Sequence, residues 1–217
     1  MKRRLRVRNA EKARNNFVTK RAENKLNTLV EVFQQTAGER WVKTQGDVLR
    51  REVFFTGFQH VESIGFIYNW ESRFLSVNYN LEMVSTIQTK ASLFQETGNC
   101  IFTLNVTQGI VGGLKGKRDY SWTCGKWSEN DAMLAAYMER LSNPLITERL
   151  NALDIMEMEI RHRVDSGYWQ ISCESMIGSA TWILIPPIFS VIMPKTEECI
   201  KALELFDLLA DAVSNNR

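Results

Sequence analysis

Apolar positions along the chain change their period several times, and each change predicts an element. Val18, Ala22, Leu26, Leu29, Phe33 and Ala37 recur every three or four residues, which is one face of a helix. Asn9 can cap its start and Gly38 can stop it, so a helix is expected over about residues 9–37. Its second half carries the apolar stripe and must pack on something. Its first half offers only Ala10, Ala13 and Phe17 among basic residues, and is expected to project.

From Trp41 to Trp127 the period moves towards two, and β-branched and aromatic residues dominate. Strands are expected at 49–58, 61–70, 73–80, 83–89, 100–107 and 119–124, with turns at Glu71-Ser72 and Thr97-Gly98-Asn99. In the third, Phe74, Ser76, Asn78 and Asn80 share one side while Leu75, Val77, Tyr79 and Leu81 share the other, as in a sheet with one wet face. Gly46–Phe55 reads equally as a strand or a short helix.

Helical spacing returns near 129–142, where Ser128 and Asp131 make a capping-box pattern and Pro144 disfavours helix at Asn143. A further short helix is expected within Leu145–Leu150. Residues 155–164 then alternate cleanly: Met156, Met158, Ile160, His162 and Val164 against Glu157, Glu159, Arg161 and Arg163. After the turn Asp165-Ser166-Gly167, a return strand over 168–174 should point Trp169, Ile171 and Cys173 inward. The nearly continuous apolar run Ala180–Ile185 reads as a separate, buried central strand. A last helix near 196–213 carries Cys199, Ile200, Leu203, Phe206, Ala210 and Val213 on one broad stripe, with Glu197 and Glu198 suiting its N-terminal dipole.

Strands in two blocks between helices indicate an α+β fold with a mainly antiparallel sheet. A single domain over 1–217 is expected, with the Pro144 region as the candidate boundary. Composition agrees: 44% apolar and 24% charged residues are ordinary for a soluble globular chain. The longest apolar candidate for a span, Trp182–Met193, has twelve residues interrupted by Pro186 and Pro187, against the roughly 20 that a membrane helix needs. It reads as a core segment. No apolar stretch follows the charged start, so a secretory signal is not expected, and a cytoplasmic location is.

Charge changes the picture more than composition does. Residues 1–25 hold ten Lys or Arg against Glu11 and Glu23, a net +8, whereas the whole chain is only +2. A basic arm thus leads a body of net −6. Clustered cations of this kind bind nucleic-acid phosphate by releasing condensed counterions, and the candidate contacts are Lys2, Arg3, Arg4, Arg6, Arg8, Lys12 and Arg14. An anionic membrane competes for the same charges, but residues 1–16 supply only Leu5 and Val7 as large aliphatic anchors. The stretch Gly109–Arg118 has four glycines and three cations, Lys115, Lys117 and Arg118. It departs from a nucleotide phosphate loop at Val111 and Arg118, and reads as a basic finger between two strands.

Chemistry-bearing clusters are sparse. Cys100, Cys124, Cys173 and Cys199 are scattered far from His60 and His162, without metal-ligand spacing. Glu157 and Glu159 fall on one strand face and His162 on the other, which is an ordinary exposed face rather than an acid–base pair. No cofactor, no metal and no catalytic residue is expected. The function expected is that of a non-enzymatic binding or adaptor protein. It would contact nucleic acid without sequence preference inside a larger assembly, with a protein partner or a second copy on its acidic body. The alternatives are a protein-interaction module without nucleic acid and an enzyme whose site carries no motif.

Overall fold

The computed structural model describes residues 17–88, 100–111, 114–125, 131–163 and 167–214. Within them the fold is α+β, with nine antiparallel strands in one sheet and four α-helices. Helix α1 (Phe17–Ala37) is followed by β1 (Trp41–Asp47), β2 (Arg50–Phe55), β3 (Ser63–Arg73), β4 (Ser76–Gln88), β5 (Ile101–Val111) and β6 (Leu114–Gly125). Helices α2 (Asp131–Leu141) and α3 (Pro144–Ala152) lead into β7 (Ile155–Arg163), β8 (Tyr168–Ile183) and β9 (Ile188–Val191), and α4 (Thr196–Ser214) follows.

The sheet runs β1-β2-β3-β4-β8-β7-β5-β6, so strands from both sides of Pro144 are hydrogen-bonded neighbours. One cross-strand row, Phe66–Met83–Cys173–Met158–Leu104–Trp122, is buried throughout. The row one residue along, Glu52–Gly65–Val84–Ser172–Glu159–Thr103–Thr123, is mostly polar and faces the other way. Period-two alternation therefore gives the sheet one dry and one wet face. The helices cover the dry face. Phe33 of α1 meets Phe66 at 4.7 Å, and Tyr137 of α2 meets Trp169 at 5.5 Å. Helix α4 lies between α1 and α3.

Local chemistry sets the ends. Gly38 adopts φ +58, a left-handed value that glycine enters without a Cβ penalty, and stops α1 where expected. Asn143 accepts a bond from the Leu145 amide (2.9 Å), with Pro144 in the first turn of α3. Arg51 reaches Asn27 (2.8 Å) and Glu23 (3.0 Å), tying the early turns of α1 to β2.

Two expectations need correction, and both concern apolar residues. Strands 73–80 and 83–89 are one strand, β4; the turn before it falls at Phe74-Leu75, not at Glu71-Ser72. Strands 168–174 and 180–185 are likewise one strand, β8, interrupted by a bulge. At this bulge Tyr79 and Leu81 pair with Ala180 and Ser175, so β8 carries three extra residues. Gly178 sits there at φ +87, and its carbonyl accepts the Tyr68 hydroxyl at 2.6 Å. Separately, β1 is a strand, and the ambiguous 46–55 stretch is the β1–β2 hairpin.

Candidate functional site

The bulge bends the fate of β8. Its first half lies between β4 and β7; its second half, Ala180–Ile183, lies between β4 and the short β9. Ser76 pairs with Ile183, and the Leu184 amide donates to the Leu75 carbonyl at 3.0 Å. The β3–β4 turn and the β8–β9 turn are thus locked side by side at one end of the sheet.

That end is apolar and open to solvent. Phe74 is 94% exposed and Ile185 76% exposed, and Leu75, Ile183, Leu184 and Ile188 are exposed with them. Pro186 and Pro187 are exposed as well. No ionisable side chain interrupts either 74–75 or 183–188. The twelve-residue run Trp182–Met193, expected to be core, is therefore surface over most of its length. Its apolar character reads as burial when only sequence is considered; hairpin closure beyond the helices exposes it.

Helix α1 begins at this same end. Phe17 packs edge-on against Trp182, with ring centroids 6.4 Å apart. The Arg21 guanidinium lies over both rings, 4.5 Å from Phe17 and 5.7 Å from Trp182. Lys20 and Arg21 are exposed, as is Phe17. Lys2, Arg3, Arg4, Arg6, Arg8, Lys12 and Arg14 lie outside the described residues, and Phe17 is where the segment bearing them joins the described chain.

The second expected basic element is differently disposed. Gly109–Arg118 is the far end of the β5–β6 hairpin: β5 continues to Val111 and β6 begins at Leu114. Lys115 and Lys117 belong to β6, and their side chains lie outside what the structure describes. Arg118 pairs with Asp154 in the α3–β7 link, and Tyr120 beside it donates to the Leu150 carbonyl at 3.0 Å. The Arg118 guanidinium thereby ties β6 to the helical layer.

The groups that could do chemistry are spread apart or sealed. His162 is fully buried, its ring 4.7 Å from Trp169, while Glu159 pairs with Arg161 at 2.7 Å on the wet face. Burial pushes the Cys100 and Cys199 thiols up to about 12, and raises that of Cys173 too. Such thiols stay protonated near neutrality and are poor nucleophiles. Where α1 and α4 meet the sheet near Ser175, the free volume is about 10 Å³, room for no more than one water. Among the described residues no group of His, Cys, Asp or Glu is arranged to hold a metal ion, and no helix is long and apolar enough to cross a membrane. On the wet face Ser63 bonds Glu52 (3.0 Å), Asn69 bonds Glu82 (2.6 Å) and Thr181 bonds Asn78 (3.2 Å).

The fold and this surface define an antiparallel sheet, helix-covered on one side, whose most unusual feature is an exposed apolar end beside Lys20 and Arg21 of α1. The chain belongs to the DUF3156 family, described as "Protein of unknown function (DUF3156)", whose pattern matches residues 31–213. No curated protein and no solved structure matches the chain. The matched span includes both apolar turns.

Proposed function

We propose that this protein is a non-enzymatic binding module, working in the cytoplasm within a larger assembly, that holds a phosphate-bearing polyanion through its basic leading segment. The contacts are Lys2, Arg3, Arg4, Arg6, Arg8, Lys12 and Arg14, continued by Lys20 and Arg21 at the start of α1. Nucleic acid is the polyanion that the charge pattern names first. Recognition is sequence-tolerant, because phosphate contacts position a partner without reading it. Supporting this reading above the others is the exposed Arg21 and Lys20 at the point where a segment of high positive charge meets the fold.

The test uses the full chain and a variant with Arg3, Arg4, Arg6 and Arg8 each changed to Gln. Labelled duplex and single-stranded oligonucleotides are titrated at two salt concentrations. Wild type should weaken steeply with salt, since each neutralised phosphate contributes a slope of about −0.7 to −0.9 in log–log form. The variant should bind at least tenfold more weakly with a shallower slope. Binding that ignores salt and survives the four substitutions would overturn the assignment.

A further inference from the structure

The sheet begins with a strand that has a neighbour on one side only. Among the described residues β1 pairs with β2, and no strand pairs with its outer side. Every residue of β1 but Thr44 is exposed, Trp41 and Val42 included. The direction of its backbone groups follows from β2. The Phe55 amide donates to the Glu62 carbonyl and the Tyr68 amide to the Leu49 carbonyl, both at 2.9 Å, so odd-numbered residues along 49–55 turn their backbone groups to β3. The even-numbered ones face β1, where Arg50, Glu52 and Phe54 stand opposite Asp47, Gln45 and Lys43. The N–H and C=O groups of Thr44 and Gly46 are left directed at the open edge.

An unpaired row of this kind is a template for another strand, and a bulge or a lysine commonly blunts it. Strand β1 has both: Val42 is the extra residue of a bulge, and Lys43 follows it. The bulge limits pairing at one end and the Val48-Leu49 turn limits it at the other. The ladder open to a partner is therefore 43–47, and its centre is Gln45.

We propose that β1 is the dimerisation edge of this protein, pairing antiparallel with β1 of a second copy about a two-fold axis at Gln45. An interface of this symmetry must be complementary to itself, and the sequence meets that condition. The axis sets Thr44 against Gly46 of the second copy, and the two exchange their outward N–H and C=O groups. The Thr44 hydroxyl side is occupied, since it accepts from Gln34 of α1 and from the Trp41 indole, and glycine opposite it adds no side chain to the crowd. Lys43 falls opposite Asp47 of the second copy, and Asp47 opposite Lys43, at positions where side chains approach most closely. Opposite charges so placed stabilise a ladder and like charges weaken it. Lys43, Gln45 and Asp47 share the wet face with Phe54, Glu52 and Arg50, clear of the helical layer.

Charge is what selects a second copy over an unrelated strand. The lysine that discourages general pairing is answered only by a chain with an acid at the matching position, and this chain carries it four residues along. At each end of the ladder Trp41 and Val42 come beside the Val48-Leu49 turn of the second copy, which covers apolar surface otherwise open to water. The pairing is independent of phosphate binding, so neither reading falls with the other.

The experiment is sedimentation equilibrium of the full chain over a wide concentration range at about 0.15 M salt. Wild type should show a monomer–dimer equilibrium, and the Thr44 and Gly46 amides should exchange more slowly as the dimer fills. Lys43→Asp and Asp47→Lys each replace attraction by repulsion on both sides of the axis, so each should weaken dimerisation about tenfold or more. Mixed together, these two variants should associate at least as well as wild type, because their charges then match. Asp47 also accepts from the Val48 amide at 2.7 Å, so a second pair of variants leaves the turn untouched: Gln45→Lys and Gln45→Glu should each dimerise more weakly than wild type and recover on mixing. A chain that stays monomeric at every concentration would overturn the proposal. So would a dimer indifferent to all four substitutions, or variants of the Gln45 pair that do not recover when mixed.

Discussion

The second half of β8 is the more continuously apolar in sequence, yet the first half is the better buried. In the first, Trp169, Ile171 and Cys173 alternate with Gln170, Ser172 and Glu174, and the apolar set is sealed under α2 and α4. In the second, the chain passes the bulge at 176–179, runs beside β9 and ends in the exposed Ile183–Ile185. The difference lies in what covers them. Helices α1 and α4 roof the bulge and α2 meets Trp169 in the first half, whereas the first described turn of α1, through Phe17 and Arg21, reaches the second. Hydrophobicity says that a segment needs a cover; topology decides whether the chain itself provides one.

The widest separation between the halves should appear on truncating one side chain in each. Trp169 is 1% exposed and touches Phe102, Tyr137 and His162. Trp169→Ala should destabilise by about 3–5 kcal/mol, read from the urea midpoint. A loss under about 1 kcal/mol would mean that the first half is not the packed centre described here.

Ionisation probes the same sealed layer. Burial holds the Cys100 and Cys199 thiols at about 12 against an ordinary value of 9.0. A folded pKa above the unfolded one means that the native state keeps its proton longer. The associated stability is therefore complete below pH 9 and declines as pH rises from 9 towards 12. Urea midpoints should stay level with pH below 9 as far as these thiols are concerned and fall above it, and Cys199→Ala should make the fall shallower. An unchanged slope in that variant would show that forming the thiolate costs the fold nothing. The apolar tips contain no such group, so tip variants should leave the slope alone.

The joint between the halves comes next. Gly178 stands at φ +87, and a Cβ built there would lie 2.5 Å from Leu81 Cδ2 and 3.1 Å from Leu29 Cδ1. Gly178→Ala combines backbone strain with overpacking and should destabilise by about 1–3 kcal/mol. Because Tyr68 and Ile192 bond to this turn, the same change should also loosen β9, seen as faster amide exchange at Ile192 and Gly178 neighbours. Exchange that speeds up only in β7 would break the assignment of the bulge as the hinge between halves.

These results also mark how far the sequence could be read. The α+β class, the one-sided sheet, the stop of α1 at Gly38 and the span of α4 follow from local rules: period, caps and the positive φ of a glycine. The misplaced boundaries fall where an apolar residue is not buried. Periodicity alone places Phe74 and Leu75 in a strand and Leu184 and Ile185 in a sealed core, because it equates apolar with inside. The one available signal was Pro186-Pro187, which cannot serve a central strand and favours a turn. The charge of the basic segment is legible in sequence, but the contact of Phe17 and Arg21 with Trp182 is not, since these residues are far apart in the chain. Conversely, Arg118 looked like a free cation in a loop and is a tie to Asp154.

The smallest expected effect on stability is the one that most sharpens the contrast. Ile185 is 76% exposed, and replacing it with Ser removes little buried area. Ile185→Ser should change the urea midpoint by no more than about ±0.5 kcal/mol, the range of surface sites without special roles. At that size the Ile185 side chain contributes little to folding. If the substitution instead destabilises by about 2 kcal/mol or more, on the scale of a buried aliphatic side chain, the tip is part of the core after all. The two halves of β8 would then differ in degree and not in purpose.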